Sequence, residues 1–101
     1  MTDNEICVLG DYCEQLMKAE NFNLLTAEFK ASTVDAILST APQETKKREG
    51  IYAETWGLQR FLGIMQTYVQ RRDAIRAQAD AERMEQEDAL LDQAFDRTPV
   101  A

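Results

Sequence analysis

Between residues 1 and 40 the apolar positions fall into two helical stripes. Ile6, Leu9, Cys13, Leu16 and Met17 recur at three- and four-residue steps, which lines one face of a helix expected from about Asp3 to Ala19. Gly10 weakens the middle of that helix. Asn21 and Asn23 then supply turn and N-cap chemistry. Phe22, Leu25, Phe29, Thr33, Ala36 and Ile37 trace a second stripe, widened by Val34 and Leu38, and this helix is expected to close near Thr40.

A third helix is expected to begin at Ser39-Thr40-Ala41-Pro42-Gln43, where a hydroxyl, a first-turn proline and a Thr-x-x-Gln pair form a capping box. Ile51, Thr55, Leu58, Leu62, Met65 and Val69 then alternate four- and three-residue steps, the spacing of a coiled-coil seam, while Phe61, Ile64, Tyr68 and Ile75 broaden the apolar face. No proline intervenes before Pro99, so the helix is free to run into the high eighties, a rod of roughly 70 Å. A compact domain of this length has a radius of gyration of about 13 Å, so the rod must project from its own bundle or pair with another chain. Pairing is expected over residues 51–75. Beyond Ile75 the pattern is charged, and Leu90, Leu91, Ala94 and Phe95 make a short amphipathic element before a loose tail from Thr98.

The expectation is an all-α fold: an N-terminal helical hairpin, residues 1–40, packed on one long helix, residues 41–97, within a single domain. Composition agrees, since only four Gly and two Pro occur and strand-forming runs are missing. At 101 residues, 45% hydrophobic and 29% charged, the chain suits one folded domain with a modest core. Its formal charge of -7 disfavours non-specific attraction to nucleic acid or anionic lipid. No apolar run reaches the roughly 20 residues of a membrane span, and no export signal opens the chain. Cys7 and Cys13 point about 120° apart on a helix, so free thiols and a cytoplasmic location are expected.

Candidate chemistry is sparse. The chain has no histidine, which removes the commonest general base and the commonest zinc ligand together. CxxC, P-loop, GxGxxG and GxSxG motifs are all missing, so neither an enzyme nor a cofactor is expected. Glu49 is expected to pair with Lys46 or Arg48. The clusters Lys46-Lys47-Arg48 and Arg71-Arg72-Arg76 offer a weak nucleic-acid surface, but the neighbouring Asp73, Asp80 and Glu82 account for the second through ion pairs along the helix. Gly50, Gly57 and Gly63 inside a predicted helix suggest close approach by another helix. Trp56, beside the apolar stripe, suits an interface anchor as well as it suits core packing.

The stretch from Phe29 to Tyr68 carries a resemblance. Phe29-Lys30 is followed by Ile37-Leu38-Ser39-Thr40-Ala41-Pro42, then by Arg48-Glu49-Gly50-Ile51-Tyr52 and the run from Leu58 to Leu62. This order is similar to that of small helical proteins encoded in the structural gene blocks of tailed bacteriophages and prophages. There a Thr-rich helix start precedes an Arg-Glu pair, an aromatic residue and a Leu-rich helix. The resemblance spans about two fifths of the chain and implies a phage-type accessory or virion-associated protein.

The reading that results is a non-enzymatic, oligomerising helical protein. Ile51, Leu58, Leu62, Met65 and Val69 are the expected self-association seam, and Trp56, Tyr68, Leu91 and Phe95 are candidates for contact with another protein. The alternatives are a small acidic regulator of a host protein and, third, a nucleic-acid-binding module.

Overall fold

The computed structural model describes residues 1–96 and contains three helices, α1 (Asp3–Lys18), α2 (Glu20–Leu38) and α3 (Thr45–Asp96). The tail from Thr98 and the expected end of the long helix at residue 97 lie outside the described residues. As expected, the fold is all-helical, and the two N-terminal helices pack on one long C-terminal helix.

α1 opens on Thr2, whose Oγ1 accepts a hydrogen bond from the Glu5 backbone N–H at 3.1 Å. Asp3 and Glu5 in its first turn and Lys18 in its last complement the helix dipole. At Ala19 the backbone becomes extended (φ -71°, ψ 128°), and α2 restarts at once, with Asn23 Nδ2 donating to the carbonyl of Met17 across the break. The chain therefore bends at Ala19 rather than reversing there. α1 lies against the middle of α3, with Asp3 beside Ala79 and Met17 beside Leu62. α2 follows it toward the start of α3, where Thr33 and Ile37 meet Thr55 and Leu58. Both run antiparallel to α3, and the chain reversal is made by residues 39–44.

That reversal differs from the expected capping box. The hydroxyls of Ser39 and Thr40 donate backward, to the carbonyls of Asp35 and Ile37, and so finish α2. Glu44 does the capping instead: its carboxylate accepts from the Ala41 N–H at 2.8 Å while its own N–H donates to the Ala41 carbonyl at 2.9 Å. Arg48 clamps the loop by donating to Thr40 Oγ1 and to the carbonyls of Ala41 and Pro42. It is thereby drawn away from Glu49, its expected partner.

α3 runs without a break through the charged stretch and through Leu90, Leu91 and Phe95, so the terminal amphipathic element is the end of the same rod. The molecule measures 92 × 25 × 21 Å, with a radius of gyration of 24.5 Å against the about 13 Å of a compact chain this long. Two antiparallel rods in contact bury little: among the described residues the buried apolar side chains are Ile6, Cys13 and Met65.

Candidate interaction surface

The expected seam of α3 is real as a periodic feature, and its own chain covers it. Met65 is buried, while Ile51, Leu58, Leu62 and Val69 are half-buried on the face turned toward α1 and α2. The next position in the same four-three spacing after Val69 is Arg72, and this residue is only 5% exposed. Opposite it α1 carries Gly10, whose backbone approaches so closely that a Cβ there would sit 2.7 Å from Arg72 Cβ and 2.8 Å from the Tyr68 carbonyl oxygen. Gly10 thus lets Arg72 pass over α1 to reach acceptors on its far side. By contrast, a Cβ added at Gly50, Gly57 or Gly63 would meet nothing within 4 Å, so within the chain the close helix approach is made at Gly10 and not at those three.

Arg72 Nη1 donates to Asp11 Oδ1 at 3.0 Å and to Glu14 Oε2 at 2.7 Å, and its Nε and Nη2 donate to Asp73 Oδ1. Arg76 adds a bond to Asp11 Oδ2 at 2.8 Å. Arg72 therefore pairs along its own helix with Asp73, as its neighbours suggested, and also across to α1, where Arg76 joins it. The Arg76 hydrogen bond, with help from Arg72, holds the Asp11 carboxyl below its ordinary range, and the Arg72 and Lys18 hydrogen bonds do the same for Glu14. Carboxylates lowered on folding stabilise the fold above their unfolded pKa of about 4, and that contribution is lost as pH falls through the lowered folded values. The α1–α3 contact is expected to loosen as pH falls below about 4, which melting curves on the acid side will detect as a falling transition temperature. An Asp11→Asn, Glu14→Gln variant should flatten the trend.

One residue before each position of the covered seam lies a second one, about 100° around the helix. It runs through Glu54, Gly57, Phe61, Ile64, Tyr68 and Arg71, again in alternating three- and four-residue steps. α1 repeats the device: Ile6, Gly10, Cys13 and Met17 face α3, and Glu5, Leu9, Tyr12 and Leu16 precede them by one residue each. The two second seams face the same side, because Leu9, Tyr12 and Leu16 and the α3 residues Phe61, Ile64 and Tyr68 form the walls of a groove of about 180 Å³, floored by Cys13 and Met65. Apolar atoms alone line it. Tyr12 is 59% exposed, Phe61 53% and Ile64 46%, so large side chains on both walls stand in solvent. Arg71 extends over the Tyr68 ring at 5.3 Å from its centroid.

Of the expected partner-binding residues, Tyr68 belongs to this groove. Trp56, 70% exposed, lies on the outer face of α3, away from α1 and α2, which settles its packing within the chain against a core role. Leu91 and Phe95 are exposed on the uncovered end of the rod. Among the described residues no group of three or more Cys, Asp or Glu is placed to hold a metal ion, and no helix is long and apolar enough to cross a membrane. Comparison with protein-family models, with curated proteins and with solved structures finds no match.

Proposed function

We propose that this chain is a non-enzymatic, oligomerising helical protein that acts through helix–helix contacts, as a structural or virion-associated accessory component of the phage type. The observation that carries the self-association is the second apolar seam of α3, left open beside a seam of the same spacing that the chain fills with its own helices. The accessible surface of 8183 Å² supports it, because a compact protein of 11.5 kDa exposes roughly 5,800 Å². The excess is well above the about 800 Å² per partner of a standard interface. The contact then sits one residue round from the expected set, at Phe61, Ile64 and Tyr68, since Leu58, Leu62 and Met65 face α1 and α2. The resemblance over Phe29 to Tyr68 supports the phage setting. Trp56, Leu91 and Phe95 lie outside the groove and remain for a different protein partner.

Replacing Ile64 by Glu sets a carboxylate in the middle of the open seam without touching the covered one. The Ile64→Glu chain is expected to be a monomer by light scattering while keeping the helical circular dichroism of the parent. An unchanged oligomer would remove Ile64 from the interface and the reading with it.

A further inference from the structure

The open seam has a charge and size pattern that selects its occupant and its direction. Glu54 stands at one end of it and Arg71 at the other, with Ile64 near the midpoint. Neither has an opposite charge to pair with among the described residues; Arg71 has only the Tyr68 ring and Glu54 makes no ion pair. Gly57, next to Glu54, has open space where a side chain would be. We propose, building on the self-association reading above, that the seam receives the same seam of a second copy, antiparallel, about a two-fold axis at Ile64.

Antiparallel superposition on Ile64 puts Phe61 against the partner's Tyr68, two aromatic rings in one layer. It also puts the bare Gly57 against the partner's Arg71, whose long side chain takes up the vacant space and brings its guanidinium within one turn of Glu54. The two-fold repeats both contacts at the other end. A parallel, in-register pair would instead set Glu54 on Glu54, Arg71 on Arg71 and Gly57 on Gly57, combining two like-charge layers with an unfilled one.

The free end of α3 gives the same answer independently. From Asp80 to Asp96 there are seven acidic residues and one basic, Arg83, so most of the formal charge of -7 is concentrated there. Parallel pairing would lay two such segments side by side. Antiparallel pairing sends them to opposite ends of the assembly, separated by far more than the Debye length of about 8 Å at physiological salt. The groove walls fit a bundle of this kind as well, because a partner α3 seated on Phe61 and Ile64 also lies along Tyr12 and Leu16.

Charge reversal tests the direction. Glu54→Arg and Arg71→Glu, each alone, are expected to weaken dimerisation about tenfold or more, as measured by sedimentation equilibrium, and the double variant is expected to restore it. Both positions face solvent in the single chain, so each variant is expected to keep its helices by circular dichroism. If the parent dimerises but the single variants bind as tightly as it does, or the double variant stays weak, the antiparallel pairing is overturned while self-association stands. If the parent itself is a monomer, the self-association reading and this inference fall together.

Discussion

Gly10→Val is expected to detach α1 from α3. At this position a Cβ alone would lie 2.7 Å from the Cβ of Arg72 and 2.8 Å from a backbone oxygen of α3, and the latter cannot swing aside as a flexible side chain does. The helices must therefore separate by a sizeable fraction of an ångström. Separation breaks contact at Cys13 and Ile6 on either side, which are two of the three buried apolar side chains among the described residues. It also lengthens the bonds from Arg72 to Asp11 and Glu14. Overpacking of this sort costs about 1–3 kcal/mol, and valine regains little helix propensity over glycine to offset it. Against a net stability of about 5–15 kcal/mol for an ordinary domain, and a core as small as this one, the top of that range is a severe loss. Thermal melting followed by circular dichroism should show a lower transition, and amide exchange should show α1 losing protection before α3 does. Protection of α1 equal to that in the parent would mean that the two helices do not touch at Gly10.

Met65→Asp is expected to unfold the packed part of the molecule, although the neighbouring Ile64→Glu is expected to spare it. Met65 is 4% exposed beneath Cys13 and Leu9, so its replacement removes the largest buried apolar contact of α3 and places an unpaired carboxylate among apolar atoms. The loss is on the order of 3–5 kcal/mol, summed from large-to-small truncation and the burial of an uncompensated polar group. Ile64, one residue earlier, points into the groove and not beneath α1. The two variants therefore separate the roles of two adjacent seams: a melting curve for Met65→Asp should collapse, and for Ile64→Glu it should change chiefly in its dependence on protein concentration. Equal loss of helix in both would mean that the seams are not distinct.

Much of this arrangement was legible in residue spacing. The steps from Ile6 to Met17, from Phe22 to Ile37 and from Ile51 to Val69 announce three helices, because helix periodicity alone decides which side chains share a side. The stripe of α2 is only partly covered, with Phe22, Phe29, Thr33 and Ile37 half-buried and Leu25, Val34 and Leu38 exposed. The starting point of α3 was misplaced by a few residues, since the hydroxyls of Ser39 and Thr40 can serve either helix and only the three-dimensional loop, clamped by Arg48, decides between them. The course of the N-terminal pair was not legible either. A bend at Ala19 and a reversal there differ by a few backbone angles, and Asn21 and Asn23 suit both.

The site was partly hidden for a different reason. Phe61, Ile64 and Tyr68 read as a broadening of one apolar face, whereas the spacing from Glu54 to Arg71 repeats the first seam one residue earlier and makes a second. Arg72 was masked by its charge: it occupies the next seam position after Val69, but an arginine between Arg71 and Asp73 looks like a solvated helix face. Its partners Asp11 and Glu14 lie about sixty positions away in the chain, beyond the reach of any local pattern. Gly10 carried a signal of its own, since it falls four residues after Ile6 and three before Cys13, on the packing face where a glycine permits close approach.

The solution mass of the intact chain tests most directly whether another copy of itself completes this rod. Size-exclusion chromatography with light scattering, at low and high salt, is expected to give twice the 11.5 kDa of one chain, or a larger whole-number multiple, with little change as salt rises, because apolar contact dominates the seam. A mass of 11.5 kDa at every concentration and salt would contradict it.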